Sequence, residues 1–479
     1  MADFKEYETY DGLGLAELVR KGEVSAGELL DAALARVERY DPMINAIVLP
    51  QPKSAKAAIK AGLAKGPFTG VPFLLKDLGC EAIEFPTHMG SRLFANFKWT
   101  YDSEIYLRMQ RAGVVTFART TSPEFGIGPT TESQVYPKAT RNPWHLDHVA
   151  GGSSGGAGAA VAAGIVPIAH GSDGGGSVRI PAASCGLYGF KATRARLPDG
   201  PASGEGWGGM AIDGFLTRSV RDTAALIDAT HGPDLGAPYW APTVAWPFLE
   251  EIQTPPERLK VALCTTRLDG TAIDKECAKA VQETGKLLAN LGHHVSETRP
   301  KVDVERMMLA WTKVVAAGTA LTVRSREKAL KRPIEDHELE GVTWGACEFA
   351  KSVSGADYLE ALNIVHDTGR AMARFFVATD ILVTATLAEP PARIGRFKPD
   401  NRDFMDYRLG PKGVFGYSPF TALFNGTGQP AASLPLHWTE AGLPVGVHIA
   451  GRFGEDATVL KLSAEIETAR PWFTRRPKL

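Results

Sequence analysis

The chain has 479 residues, of which 44% are hydrophobic and 22% are charged, and its formal net charge is −1 at pH 7. A nearly neutral chain without a lysine- or arginine-rich stripe is a poor fit for a protein that binds nucleic acid or an anionic membrane. The polar, acidic N-terminus does not resemble a signal peptide, and no apolar run is long enough to span a bilayer. We therefore expect a cytoplasmic globular protein.

The cysteines also bear on location and chemistry. Their number is odd, and none of them forms a C-x-x-C pair. This pattern favours free, buried thiols in a reducing compartment over a disulfide framework or a zinc site. The five positions are Cys80, Cys185, Cys264, Cys277 and Cys347.

The N-terminal half begins with a clear helix signal. Ser25 and Glu28 form a capping-box pattern, and the apolar positions that follow predict a helix that ends before Pro42. The apolar run Val71–Leu75 predicts a strand, with Lys76 directly after it. A small-residue helix is expected over residues 154–164.

The C-terminal half alternates strands and helices. Strands are predicted over residues 259–264, 294–298, 380–386, 431–436 and 445–450, and helices over 274–291 and 455–469, with mostly helical structure over 303–378. This alternation favours an α/β fold on a mixed or mostly parallel sheet. No linker or internal repeat divides the chain, so we expect a single domain of residues 1–479, in which residues 300–410 form a helical cap or a substrate-pocket region.

Two serines stand beside glycine runs between residues 151 and 181. Small neighbours leave the hydroxyls of Ser153 and Ser177, and the backbone N–H groups around them, open to a substrate. A serine nucleophile needs a base. His170 is the nearest histidine, but its apolar surroundings favour a packed core residue. Lys76 is suitable if burial lowers its pKa, while a simple pairing of Lys76 with Asp77 remains open.

Several motifs together resemble the amidase signature family. They are LLKD at 74–77, GGSSGG at 151–156, GSDGGGSVRIPA at 171–182, Cys185-Gly186, GFK at 189–191, LTRS at 216–219, NGTGQP at 425–430 and GLPVG at 442–446. The resemblance runs from about residue 12 to the C-terminus, with a catalytic core at residues 66–232. It implies a large mixed β-sheet flanked by helices on both faces.

The resemblance also implies roles for particular residues. Ser177 would be the nucleophile, Ser153 the proton relay and Lys76 the neutral base, with a cis peptide bond at one of the serines. The reaction implied is amide hydrolysis through an acyl-enzyme on Ser177, with no metal or cofactor. The oxyanion hole would consist of the N–H groups of Gly174, Gly175, Gly176 and Ser177, and the supporting side chains would be Ser154, Asp173 and Arg179.

The substrate is less well defined. Segments 66–77 and 139–144 resemble the group of 6-aminohexanoate cyclic-dimer hydrolases, broad-specificity amidases and urethanases, which implies a small apolar, aryl or cyclic amide or a carbamate. The chain departs from the usual family pattern at Gly174, often a larger residue, and in KATRAR at 191–196. These departures bear on the substrate more than on the reaction.

Four bulky residues are candidates for the substrate pocket. Trp207 and Met210 belong to a glycine-rich loop that is either a lid or a plain surface loop. Trp311 and Val315 belong to a helix where ordinary packing is the competing interpretation. We expect a monomer or homodimer with a small-molecule substrate.

Two rival functions remain. One is the glutaminase subunit of a tRNA-dependent amidotransferase, which would work with partner subunits. The other is an α/β-hydrolase esterase, which needs a strand leading into Ser153. The polar segment 141–150 makes a poor strand of that kind.

Overall fold

The computed structural model describes residue 4 and residues 6–479. One sheet contains eleven strands in the order β1-β3-β2-β6-β8-β7-β12-β13-β11-β9-β10, and β4 and β5 form a separate hairpin. The strands are β1 (Ile47–Val48), β2 (Pro72–Lys76), β3 (Val115–Thr120), β4 (Arg141–Asn142), β5 (His145–Val149), β6 (Ile168–Asp173), β7 (Tyr188–Lys191), β8 (Ile212–Thr217), β9 (Lys260–Leu263), β10 (His294–Glu297), β11 (Ile381–Ala385), β12 (Ala431–Trp438) and β13 (Pro444–Gly451).

Helices flank this sheet. They are α1 (Gly12–Lys21), α2 (Ala26–Ile44), α3 (Pro52–Ala61), α4 (Glu104–Arg111), α5 (Gly155–Ala162), α6 (Arg179–Cys185), α7 (Val220–Thr230), α8 (Phe248–Glu251), α9 (Lys275–Asn290), α10 (Val304–Leu330), α11 (Gly341–Ala350), α12 (Gly355–Phe375), α13 (Phe404–Leu409), α14 (Val414–Tyr417), α15 (Thr421–Thr427) and α16 (Asp456–Ala469). Among the described residues, no helix is both long and apolar enough to cross a membrane.

The sheet is mixed. Strand β2 is parallel to β3 and β6, and β9 is parallel to β10 and β11. The other neighbouring pairs of the sheet are antiparallel: β1 with β3, β6 with β8, β8 with β7, β7 with β12, β12 with β13 and β13 with β11. Every residue of β2, β3, β7, β11 and β13 is buried. Apolar runs without polar alternation are expected where both faces of a sheet are covered, so the predicted fold is confirmed.

One predicted boundary is wrong. The capping box at Ser25 forms as expected, but α2 continues through Pro42 to Ile44. Asn45 then adopts the left-handed conformation and its N–H donates to the Asp41 carbonyl at 2.8 Å, which closes the helix. Pro42 therefore removes a single helical hydrogen bond near the C-terminal end, where the loss is tolerated.

The topology brings distant segments to one edge of the sheet. Because β2 and β6 are parallel neighbours, both end at the same edge. Lys76 is the last residue of β2, and Asp173 is the last residue of β6, directly before the glycine loop that leads into α6. This edge is where ligands bind in many α/β proteins.

Candidate active site

Lys76 lies at the centre of this edge and is completely buried. Its Nζ lies 2.6 Å from Ser153 Oγ and 2.9 Å from Ser172 Oγ. Burial lowers the pKa of Lys76 from 10.5 to about 7, although Asp173 and Asp213 act to raise it. The side chain can therefore hold a neutral amine near neutral pH.

The pairing of Lys76 with Asp77 does not occur. The Asp77 carboxylate accepts hydrogen bonds from Thr87 Oγ1 at 2.6 Å, the His88 N–H at 2.8 Å and the Tyr136 hydroxyl at 2.6 Å. These three donors hold Asp77 on the other side of the strand end. Lys76 is consequently available to the serines.

His170 is a packed core residue, as predicted. It is fully buried, and its Nδ1 accepts the backbone N–H of Lys76 at 3.3 Å. Because Nδ1 is the acceptor, Nε2 carries the proton and donates to Asp213 Oδ1 at 3.0 Å. His170 thus holds the Lys76 backbone and the Asp213 carboxylate in place.

The loops that carry the two glycine-flanked serines contact each other. The N–H of Ser154 donates to the Ser177 carbonyl at 3.2 Å. The Ser154 hydroxyl also accepts the Ser172 N–H at 3.3 Å, and the Gly152–Ser153 peptide bond is cis. Ser153 and Ser177 both line one cavity, with Ser177 only 8% exposed.

Asp173 and Arg179 form a buried ion pair beneath the glycine loop. The Arg179 guanidinium donates to both Asp173 oxygens, at 2.9 and 3.0 Å. Burial alone would raise the pKa of Asp173, but Arg179 holds it well below the ordinary value. The carboxylate also accepts the N–H of Val178 at 3.1 Å. This network fixes the shape of the loop.

One part of the expected oxyanion hole is not available. The Gly176 N–H donates to Asp173 Oδ1 at 2.7 Å, so it supports the loop and does not point to the cavity. The sequence cannot separate Gly176 from its two glycine neighbours, because only the position of the Asp173 side chain distinguishes them.

Gly174 and Gly175 are required by close packing of aromatic rings. A Cβ on Gly174 would lie 2.6 Å from the Trp207 ring, and one on Gly175 would lie 2.8 Å from the Trp311 ring. Trp311 Nε1 also donates to the Gly174 carbonyl at 3.0 Å. Trp207 therefore fills the space that a larger residue at position 174 would need.

Sequence reasoning missed three polar residues of the site. Asn425 donates to the Asp173 carbonyl at 2.8 Å and accepts from Arg179 at 2.7 Å. His448 Nε2 lies 3.0 Å from an Arg179 nitrogen, and Ser172 is bound to Lys76. Asn425 opens the matched NGTGQP motif, which is the signal that marks it, whereas nothing local marks His448.

Two cavities meet at Ser177. The larger one, about 260 Å³, is lined by both serines, by apolar side chains and by three carboxylates, those of Glu81, Asp199 and Asp213. The smaller one, about 30 Å³, is lined by residues that include Gly175, Ser177, Trp207, Trp311 and Arg408.

Two of the four residues predicted to line the substrate pocket line a cavity, and the other two do not. Trp207 lines both cavities and Trp311 lines the smaller one. Met210 and Val315 are fully buried in the hydrophobic core instead of lining either cavity. The sequence does not show which bulky apolar residue of a helix or loop faces a cavity and which packs in the core. Only the tertiary structure separates the two cases.

Comparison with known proteins shows the family to which the chain belongs. The amidase family model matches residues 28–460. The chain is 36% identical to the 6-aminohexanoate-cyclic-dimer hydrolase of Paenarthrobacter ureafaciens, over 98% of this chain and 96% of that protein. A structure of 6-aminohexanoate cyclic dimer hydrolase complexed with substrate superposes with a TM-score of 0.92 at 34% identity, covering 98% and 99% of the two chains.

A bacterial aryl acylamidase of the amidase signature family also has the same fold, with a TM-score of 0.86 at 28% identity over 97% of this chain and 96% of that one. The family match spans most of the sequence, and the similarity to solved structures spans nearly all of it. The chain therefore belongs to the amidase signature family of hydrolases.

Proposed function

We propose that this protein hydrolyses amide C–N bonds through an acyl-enzyme on Ser177, with Lys76 as the base and Ser153 as the proton relay. The observation that carries the proposal is the buried Lys76 amine, 2.6 Å from Ser153 Oγ, beside a cavity that Ser177 also lines. A lysine in this setting can be neutral near pH 7, as a base must be.

The first half of the reaction forms a bond from Ser177 to the substrate. Lys76 accepts the proton of Ser153, which accepts the proton of Ser177, while Ser177 Oγ attacks the carbonyl carbon. This transfer needs the two serine hydroxyls to approach each other, as catalytic contacts do when substrate binds. The carbonyl oxygen becomes an oxyanion, and the N–H groups of Gly174, Gly175 and Ser177 stabilise it.

The second half breaks the C–N bond and restores the enzyme. The leaving nitrogen takes the proton back through Ser153 and departs as an amine. Water then attacks the ester carbonyl on Ser177, and its proton passes along the same relay to Lys76. When the ester C–O bond breaks, that proton returns through Ser153 to Ser177 Oγ, and Lys76 is neutral again. The products are a carboxylic acid and the free enzyme, so atoms and charge balance without a redox step.

The substrate we propose is a small apolar, aryl or cyclic amide, or a carbamate. Leu78, Met89, Ile105 and Phe125 give the larger cavity an apolar wall next to Ser177. Such a wall stabilises an aliphatic or aromatic group by removing it from water. One similar protein is named a cyclic-dimer hydrolase and another an aryl acylamidase. These names support cyclic and aryl amides as substrates.

Three serine variants test the proposal, with amide, anilide, cyclic-amide, carbamate and glutamine substrates followed by mass spectrometry. Ser177→Ala should abolish hydrolysis and keep the fold. Ser153→Ala and Ser172→Ala form a matched pair, because each removes one hydroxyl bound to Lys76 Nζ. We expect kcat/KM to fall by about 10³-fold or more for Ser153→Ala and by only about 10-fold for Ser172→Ala.

Retained activity in Ser177→Ala would refute the nucleophile. Equal losses in Ser153→Ala and Ser172→Ala would refute the assignment of the relay to Ser153. Ammonia release from glutamine as the fastest reaction would favour the glutaminase alternative.

A further inference from the structure

Arg408 is a buried cation beside the catalytic serine. It lies on α13, and only 3% of the residue is exposed. One guanidinium nitrogen donates to the Ile127 carbonyl, while Nε has no hydrogen-bond partner among residues 4 and 6–479. Buried donors are nearly always satisfied, so an orphan Nε calls for an explanation.

The charge of Arg408 is also uncompensated. Within the described part of the chain, no carboxylate lies within ion-pair distance of its guanidinium. Its neighbours are the aromatic rings of Trp311, Phe404 and Tyr407, at 5.0, 5.1 and 5.5 Å from the guanidinium carbon. Aromatic faces attract a cation, but less strongly than removal from water disfavours it. Burial lowers the pKa of Arg408 to about 10, so the side chain stays charged near neutral pH.

The position of Arg408 relative to Ser177 indicates which ligand would supply a counter-charge to its guanidinium. Arg408 lines the smaller cavity, which Gly175 and Ser177 also line. Its volume of about 30 Å³ exceeds the roughly 10–15 Å³ that one water molecule needs. The larger cavity, which Ser177 also lines, contains the side chains of Asp213, Asp199 and Glu81, and this concentration of acidic groups disfavours an anion there.

We propose that Arg408 binds a carboxylate of the substrate and that the enzyme prefers amides bearing a free carboxylate a few bonds from the scissile carbonyl. This inference rests on the proposed function. A carboxylate in this cavity supplies the missing counter-charge to the guanidinium. The substrate then lies with its anionic end in the smaller cavity and the remainder in the larger one. Arg408 is thereby a specificity-determining residue and takes no part in bond breaking.

A pair of chromogenic substrates tests this preference. The 4-nitroanilide of glutaric acid carries a carboxylate, and the 4-nitroanilide of pentanoic acid is its neutral analogue of nearly the same size. We expect wild-type kcat/KM to favour the anionic anilide, and Arg408→Met to lower the ratio of kcat/KM for the anionic anilide to kcat/KM for the neutral anilide by about 100-fold. Arg408→Lys should restore part of the preference.

The matched control is Arg402→Met, which removes a nearby guanidinium that is 59% exposed and paired with Asp336. It should leave the preference unchanged. A wild-type enzyme that hydrolyses both anilides equally well would overturn the inference while the proposed function stands. The inference is also overturned, and the proposed function still stands, if circular dichroism shows that the Arg408→Met protein is folded and the protein still prefers the anionic anilide.

Binding to Ser177→Ala protein separates the inference from catalysis. Calorimetry should show tighter binding of the glutaric anilide than of the pentanoic anilide, whether or not the wild-type protein hydrolyses either one. Acetate or chloride that competes as strongly as the glutaric anilide would indicate a free-anion site and overturn the substrate role. If Arg408→Met does not fold, Arg408→Lys and this binding comparison decide the question.

Discussion

The pH dependence of the rate is the sharpest consequence of the proposal that the buried Lys76 is the base. The pKa of Lys76 falls from 10.5 to about 7 because burial disfavours the ammonium. That difference corresponds to about 5 kcal/mol between the two protonation states, at 1.36 kcal/mol per unit. Only the neutral amine accepts the serine proton, so kcat/KM should rise with pH through about 7 and level off above about 8.

The size of the effect follows from the neutral fraction. With a pKa of about 7, half of the Lys76 side chains are neutral at the midpoint and about 1% are neutral two units below it. We therefore expect kcat/KM to be about 100-fold lower at pH 5 than on the plateau. The assay is initial rates from pH 5 to 9 at constant ionic strength, with circular dichroism at each pH to show that the fold persists.

A second buried lysine has a similar pKa, so a variant is needed to show which of the two lysines produces the pH dependence of the rate. Burial also lowers the pKa of Lys191 to about 7, and its Nζ donates to the Ala192 carbonyl. Asp213 is one of the groups that raise the pKa of Lys76, whereas the carboxylates that raise the pKa of Lys191 are those of Asp173 and Asp456. Asp213→Asn should therefore move the midpoint of the rate profile to lower pH if Lys76 is the base. A profile that is flat to pH 5, or a midpoint that does not move in Asp213→Asn, would refute this reasoning.

Two further predictions concern the loop that carries Ser177, the proposed nucleophile. Arg179→Met leaves the Asp173 carboxylate buried without its partner, so we expect the free energy of unfolding in urea to fall by about 3–5 kcal/mol; a loss below about 1 kcal/mol would show that the ion pair does not hold the loop. Gly175→Ala places a Cβ 2.8 Å from the Trp311 ring, so kcat should fall about 10-fold or more through displacement of the loop, and the double variant with Trp311→Leu should recover part of the loss. Unchanged kcat in Gly175→Ala would contradict the close packing.

Much of the architecture was predictable because the buried strands have distinctive patterns. The run Val71–Leu75 is apolar at every position, and β2 forms there with both faces covered. The unit at 258–298 was likewise recognisable from a short apolar run, an amphipathic helix and a second strand. The end of α2 was not predictable, because the left-handed turn at Asn45 and the packing around it outweigh the local effect of Pro42.

The candidate site was predictable only in part. Glycine runs beside Ser153 and Ser177 indicate an accessible hydroxyl because glycine has no side chain to block it. The same runs do not show which N–H is free, and the Gly176 N–H turned out to be bound to Asp173. Met210 and Val315 are similarly bulky and apolar, yet their place in the core depends on neighbours that are distant in the sequence.

By itself, the sequence determined the elements, the family resemblance and the residues that chemistry requires, since these follow from local patterns and motifs. Only the tertiary structure decided that Lys76 contacts Ser153 while Asp77 is held by other donors. It likewise decided that Arg408 lies buried beside Ser177, with no carboxylate partner in the described part of the chain. The physical reason is that desolvation and hydrogen bonding depend on side chains tens to hundreds of residues apart, and these meet only when the sheet forms.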